Sequence, residues 1–182
     1  MSEVLLNTAL FVGALLAMEP VAWLSHRFVM HGPLWRLHES HHQPRHGTFE
    51  KNDLFAVFFS VPSILLIYLG TYPYSPVLWA GLGVAAYGVC YFLFHDVLVH
   101  RRIEHGFRPR SGYLRRIVHA HRLHHASRSR TGGVSYGFLL APPIERLRRR
   151  MRDLESRGHR FDAYRPASAA AGSHSADRST GS

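Results

Sequence analysis

The chain has 182 residues, of which 46% are hydrophobic, and a formal net charge of +10. This length leaves room for one domain, and the single cysteine, Cys90, excludes an internal disulfide and a cysteine-built metal cage. The 21 Arg and one Lys suggest nucleic acid, but the arginines flank long apolar runs, where the positive-inside bias of membrane proteins explains them. We therefore expect a membrane protein without a nucleic-acid partner.

Three apolar stretches, Val4–Leu24, Leu54–Leu69 and Val77–Val99, are candidates to cross a hydrocarbon core of ~30 Å. The proline-containing segment 71–76 separates the second from the third, so these two are predicted to form a helical hairpin. No cleavable signal peptide is predicted, because Glu3 stands where such a peptide has basic residues. The expected fold class is all-α, a multi-pass membrane helical protein.

The polar C-terminal part contains one short apolar segment and one basic segment. Val134–Ile144 is too short to span and is expected to be interfacial or re-entrant, although a fourth crossing stays open, giving three to four spans. Glu145–Glu155 is typical of a basic surface helix with an apolar stripe of Ile144, Leu147, Met151 and Leu154. Residues 1–157 are thus predicted to form the membrane domain, and the Ser/Ala/Gly-rich residues 158–182 a disordered tail.

Ten histidines fall into four clusters that repeat two spacings. The clusters are His26-x4-His31, His38-x2-His41-His42, His95-x4-His100 and His121-x2-His124-His125. With three spans, all four clusters lie on one side of the membrane. Many arginines lie on that side too, which predicts a cytoplasmic site; they are Arg27, Arg36, Arg45, Arg101, Arg102, Arg108, Arg110, Arg115, Arg116 and Arg122.

The spacing within the clusters favours two metal ions. Residues i, i+3 and i+4 share one face of an α-helix, while adjacent residues diverge by ~100°, so one helix can serve two metals. The H-x4-H pairs are ~140° apart on an α-helix and suit a helix end where the backbone bends. A zinc enzyme needs about three protein ligands, and ten histidines exceed that number. Imidazole accepts iron, zinc, copper or nickel, so the spacing leaves the metal open.

Histidines outside the clusters and two carboxylates complete the candidate site. A lone histidine is more often interfacial than a ligand, so the five histidines outside the clusters are left unassigned: His46, His105, His119, His159 and His174. For His119 a place behind the ligands is the better functional interpretation. Glu19 is an intramembrane carboxylate, expected either to orient a ligand or line the substrate path, or to form a buried structural hydrogen bond. Asp96 adjoins His95 and is expected to orient its imidazole. Asn52 and Asp53 are interpreted as helix N-caps.

The four clusters resemble the fatty acid hydroxylase/sterol desaturase superfamily of membrane di-iron enzymes, and longer phrases are similar to bacterial β-carotene hydroxylases. The resemblance covers the chain from the first span to Leu147. The phrases are HRFVMHG at 26–32, HHQPR at 41–45, GTFEKNDL at 47–54, HDVLVHR at 95–101, AHRLHHA at 120–126 and VSYGF at 134–138.

This resemblance implies an O2-dependent monooxygenase that hydroxylates the 3-position of β-ionone rings, giving β-cryptoxanthin and zeaxanthin. It implies two non-haem iron ions held by the ten clustered histidines, β-carotene taken from the bilayer, and electrons from a ferredoxin and its reductase. A carotenoid ketolase or another lipid desaturase or hydroxylase of the same di-iron type is the nearest alternative. A metal transporter or bis-haem carrier is a second alternative, but it requires ligands at mid-bilayer.

Overall fold

The structure is a computed structural model that describes residues 2–43, 47 and 49–161 of the chain. Within these ranges every regular element is helical and no strand is present, as predicted. The α-helices are α1 (Glu3–Leu24), α2 (Trp35–His38), α3 (Leu54–Thr71), α4 (Val77–Tyr91), α5 (Gly112–His125) and α6 (Ile144–Ser156). Residues 162–182 of the predicted disordered tail lie outside the described residues.

Short turns of other helix types extend these elements. The π-helical segments Ser25–Met30 and Phe92–Val99 continue α1 and α4, and 3₁₀ turns cover Glu39–His42 and Lys51–Asp53. With these extensions, three helical stretches are long and apolar enough to cross a membrane: Glu3–Met30, Lys51–Thr71 and Val77–Val99. The described residues contain no fourth such stretch, in agreement with the lower end of the predicted three to four spans.

The three spanning helices expose apolar side chains outward and contact one another through small residues. Leu16, Phe58 and Ile64 are each more than 60% exposed, as expected for side chains that face lipid. Helix α4 lies between α1 and α3. A Cβ at Gly83 would overlap the carbonyl oxygen of Phe11 in α1, so glycine permits the close approach of the two backbones.

The polar part packs against the ends of the spans through α5, α6 and the segment between them. Helix α5 begins at the cap of Ser111, whose Oγ accepts a hydrogen bond from the N–H of Leu114 at 3.2 Å. The stripe predicted for α6 is buried, because Leu147 and Met151 pack against Leu123 of α5. The intervening segment 133–143 is not helical and turns back to the membrane side, where Phe138 packs in a cluster with Ala22 and Tyr87.

Candidate metal centre

The ten clustered histidines converge into two adjacent groups at one end of the spans. The first histidine group is His26, His31, His38, His42 and His124. The second histidine group includes His41, His100, His121 and His125. Within each of these two sets, the ring nitrogens that could bind a metal lie within 4.8 Å of one another. His95 completes the second histidine group, because its Nε2 lies 3.1 Å from Nε2 of His41. The groups adjoin directly: the rings of His42 and His125 stack with centroids 4.4 Å apart.

The two H-x4-H pairs lie on π-helical turns. The N–H of His31 donates to the carbonyl of His26 at 3.0 Å, and the N–H of His100 donates to that of His95 at 3.0 Å. This i to i+5 bonding is the signature of a π-helix, a form common at functional sites. It brings both imidazoles of a pair into the same group. The divergence of ~140° expected from an α-helix is therefore absent, and the predicted bend at the helix end is a change of helix type.

The two H-x2-H-H clusters exchange one histidine with each other. In each cluster the first and last histidines enter one group, while the middle one enters the other. His38 and His42 belong to the first group, whereas His41, between them in the sequence, belongs to the second. His121 and His125 belong to the second group, whereas His124 belongs to the first. Both groups thus contain five histidines from three clusters, and the expected divergence of adjacent residues is what divides them.

In six of the ten histidines, Nδ1 faces an oxygen atom at 2.7–3.0 Å. These partners are Tyr136 O for His26, Arg130 O for His31, Asn52 Oδ1 for His38, Ser127 O for His42, Glu50 Oε2 for His41 and Asp96 Oδ1 for His95. Carbonyl and carboxylate oxygens only accept hydrogen bonds, so each Nδ1 carries the proton and donates. The Nε2 atom of each neutral ring is then an unprotonated lone pair.

These lone pairs point at each other. Nε2 of His26 lies 3.1 Å from Nε2 of His38, and Nε2 of His41 lies 3.1 Å from Nε2 of His95. Two such acceptors cannot form a hydrogen bond, and their approach is repulsive without a cation between them. Metal–imidazole bonds of ~2.0–2.1 Å fit inside the 4.8 Å that each cluster of ring nitrogens occupies. The donor set therefore fits a metal ion in each group.

Burial keeps the imidazoles outside the spans in the form that binds metal. It lowers the pKa of His31 and that of His38 to about 4, and the pKa of His42 to about 3. Burial also moves the pKa of His121 and of His124 well below the usual value. These rings are neutral at pH 7 and need not lose a proton before coordinating a metal.

Glu19 contacts the site only through a backbone segment. Its buried carboxylate accepts hydrogen bonds from the N–H groups of Phe138, Leu139 and Leu140 at 2.9–3.0 Å and from the Tyr87 hydroxyl at 2.7 Å. Within the described residues it forms no hydrogen bond or ion pair with the ten histidines. Of the two roles that the sequence leaves open, these contacts favour the buried structural hydrogen bond. The anchored segment places the Phe138 ring parallel to His26, with centroids 5.5 Å apart.

We expect Glu19→Ala to lower the free energy of unfolding by more than about 3 kcal/mol, because three backbone N–H groups would lose a buried acceptor at about 1–3 kcal/mol each. Thermal unfolding of the purified protein in detergent measures this. Glu3→Ala, at an exposed position of the same helix, is the control. Equal midpoints for the two variants would show that the carboxylate does not anchor the segment.

Two polar residues behind the histidines escaped the sequence interpretation. Asn52 is not a helix cap, because its Oδ1 accepts from His38; Asp53 does serve the helix start, accepting from the N–H of Glu50 at 3.0 Å. Glu50 accepts from His41 and was not singled out. Segment 47–54 has no metal-ligand spacing of its own, so apart from the N-cap interpretation only the resemblance points to this stretch.

The remaining histidines of the described residues lie outside both groups. His105 Nε2 lies 2.9 Å from the carbonyl oxygen of Val97, and His159 lies near Gly132. Burial and the charges of Arg148 and Arg122 lower the pKa of His119, and the ring belongs to neither group. His46 and His174 fall outside the described residues.

The fold and the histidine groups define a class of protein: a helical protein with three potential membrane spans and a histidine-rich site able to hold metal. The sequence profile of the fatty acid hydroxylase family matches residues 11–147. The chain belongs to this family. No solved structure shows a significant match to this chain.

Curated relatives are similar over most of the chain. The β-carotene hydroxylase of Pantoea ananas is 48% identical over 161 residues, which cover 88% of this chain and 91% of that protein. The β-carotene hydroxylase of Paracoccus sp. (strain PC1) is 46% identical over 75% of this chain and 85% of its own length. The chloroplastic β-carotene 3-hydroxylase 2 of Arabidopsis thaliana is 44% identical over 74% of this chain and 45% of its own length.

Proposed function

We propose that the protein is a β-carotene 3-hydroxylase, an O2-dependent monooxygenase that converts β-ionone rings to 3-hydroxy rings and gives β-cryptoxanthin and then zeaxanthin. The observation that carries this proposal is the pairing of two five-histidine groups with an apolar cavity among the spans, in a chain 48% identical to a β-carotene hydroxylase.

The ten histidines would hold two iron ions, five in the first histidine group and five in the second. Iron and O2 supply the oxidising power that an unactivated ring C–H bond requires. One oxygen atom enters the C–H bond and the other leaves as water, which consumes two electrons and two protons. The protein's contribution is to hold the imidazoles neutral, to fix their orientation through Nδ1, and to present the ring.

An apolar cavity of about 540 Å³ offers a place for the substrate. It lies between α3 and α4 beside α1 and extends from Asn52 to Ile67 along α3. Tyr91 and Phe138 line the end nearest the histidines. The Tyr91 ring stacks on His95 at 4.5 Å, and Phe138 stacks on His26 at 5.5 Å. A carotenoid ring in this cavity lies beside residues that contact both histidine groups, and it enters directly from lipid.

A second, polar opening lies on the other side of the histidines. A pocket of about 360 Å³ is lined by four residues of the second histidine group, by His42 of the first, by Glu50 and by Arg122 and Arg128. We propose that electrons arrive on this face from a ferredoxin and its reductase, because a cationic surface attracts an acidic donor. The arginines around it support a cytoplasmic orientation of this face in the cell membrane.

The test is to feed β-carotene to carotenoid-accumulating cells that express the chain and to follow the products by chromatography. We expect 3-hydroxylated rings, with β-cryptoxanthin rising before zeaxanthin. The part of the cavity along α3 is about 20 Å deep at ~1.5 Å per residue, and a carotenoid with a β-ionone ring at each end is longer than this. One ring enters at a time, and the second hydroxylation requires a second binding event.

The products also distinguish the alternatives. Ring carbonyls would identify a ketolase and a new ring double bond a desaturase, and either product would overturn the hydroxylase proposal. Zeaxanthin formed from the first time point, with no free β-cryptoxanthin, would contradict the one-ring binding mode while leaving the activity in place.

A further inference from the structure

The two histidine groups differ in the oxygens that hold their rings. In the first group, all four Nδ1 atoms with a partner face an uncharged oxygen: three backbone carbonyls and the side-chain amide of Asn52. In the second group, His41 donates to the carboxylate of Glu50 and His95 to that of Asp96, each at 2.9 Å. Among these contacts, only the histidines of the second group have negatively charged partners.

The side chain of Arg102 joins the two carboxylates. The guanidinium of Arg102 contacts Asp53 at 2.7 Å and lies 3.9 Å from Glu50 and 3.9 Å from Asp96. The side chains of Arg102, Glu50 and Asp96 are 17%, 11% and 16% exposed, so solvent screens these charges only in part. Without a cation between them, carboxylates this close would repel one another.

A carboxylate behind a ligand imidazole has a known physical effect on metal binding. It fixes the ring tautomer, makes the coordinating nitrogen a stronger donor, and typically changes metal affinity 10–100-fold. An uncharged carbonyl or amide fixes the tautomer too, but it adds no negative charge. The second histidine group contains two such carboxylate–imidazole pairs, and the first contains none among the contacts described above.

We propose that Glu50 and Asp96, held in place by Arg102, make the second histidine group bind its metal ion more tightly than the first. The inference rests on the proposed function in one respect, that both groups hold iron. It assigns positioning roles to three residues and makes the two ions inequivalent. Four histidines of the tighter site, His41, His100, His121 and His125, line the polar pocket, together with His42 of the first group.

The experiment uses the full chain, purified in detergent and loaded anaerobically with two equivalents of Fe(II). Iron retained by the protein is measured after equilibration with increasing concentrations of a ferrous chelator. For the unaltered chain we expect two steps of one iron each. Glu50→Gln and Asp96→Asn keep the shape of the side chain but remove the charge. Each is expected to weaken the tighter step about 10–100-fold and to leave the weaker step unchanged.

The reciprocal variant is Asn52→Asp, which places a carboxylate behind His38 of the first group. We expect it to tighten the weaker step by a similar factor, a gain that a merely structural role of Asn52 would not produce. Arg102→Gln should weaken the tighter step, whereas Arg101→Gln should change neither, because the Arg101 guanidinium donates to the His105 carbonyl at 2.9 Å and contacts neither carboxylate.

The outcomes separate the inference from the function. Two irons lost in a single step from the unaltered chain, or a weaker step that moves in Glu50→Gln and Asp96→Asn, would overturn the inference and leave the hydroxylase proposal standing. A chain that retains no iron at any chelator concentration would overturn both.

Discussion

Replacing His41 or His124 by alanine is expected to lower the rate of hydroxylation by more than about 100-fold. Removing a residue that only supports a metal ligand can already cost about 10–100-fold in activity, and removing the ligand itself should cost more. Each of these residues is the histidine that its cluster contributes to the opposite group. His124 is the one histidine of the first group that comes from α5, and His41 is the one histidine of the second group that comes from the turn at 39–42. No neighbour on the same segment can replace either of them. Product formation in cells fed β-carotene and the iron content of the purified variants are the measurements.

The same loss is expected at each of the ten clustered histidines, and it provides its own control within the chain. His159 lies outside both groups, and His174 lies outside the described residues. We expect His159→Ala and His174→Ala to retain normal turnover. Full activity after two or more of the ten have been replaced would refute the ligand assignment.

Much of the architecture follows from local sequence patterns. The three spans are apolar runs of the required length, and the stripe of α6 has the period of a helix, so both were predicted from single segments. The location of the histidines at one end of the spans also follows, because two crossings separate the end of the first span from the end of the third and so place both on one side. The cytoplasmic location of that side and the ligand roles stay predictions.

The arrangement within the site was less accessible to sequence reasoning. An α-helical period separates His26 from His31 by ~140°, whereas the π-helical turn brings them together. The divergence of His41 from His42 was expected, but it does not say which group each ring enters. That depends on how α5 packs beside the turn at 39–42, which is a property of tertiary structure.

The atoms behind the ligands were least predictable. Three of the six Nδ1 partners are backbone carbonyls, of Tyr136, Arg130 and Ser127, and any residue type provides that acceptor. Asn52 and Glu50 contact histidines that lie nine or more residues away in the sequence. Asp96 differs, because it is adjacent to its partner in the sequence, and the contact could be expected from proximity.

Filling the substrate cavity should stop catalysis without disturbing the metal centre. Gly88 lines the cavity, three residues before Tyr91 on α4, and a Cβ built there meets no atom within 4 Å. Gly88→Leu therefore adds a side chain to open space rather than to a packed interface. We expect hydroxylation of β-carotene to fall about 100-fold, the cost of displacing a substrate by about 1 Å from its reactive position.

Gly13→Leu is the matched control, because Gly13 also meets no atom within 4 Å and lies on the exposed surface of α1, away from the cavity. Both variants replace a helical glycine by leucine in a membrane span, so differences in insertion or helix propensity cancel. Iron content should match that of the unaltered chain in both. If Gly88→Leu forms zeaxanthin as fast as Gly13→Leu, the substrate does not occupy this cavity, and the ring must approach the histidines from another side. If Gly88→Leu loses activity together with iron, the cavity is structurally coupled to the metal centre. Gly88→Ala, with its smaller side chain, then tests whether the substrate occupies the cavity. A partial loss of turnover with full iron content would support occupancy, and normal turnover would contradict it.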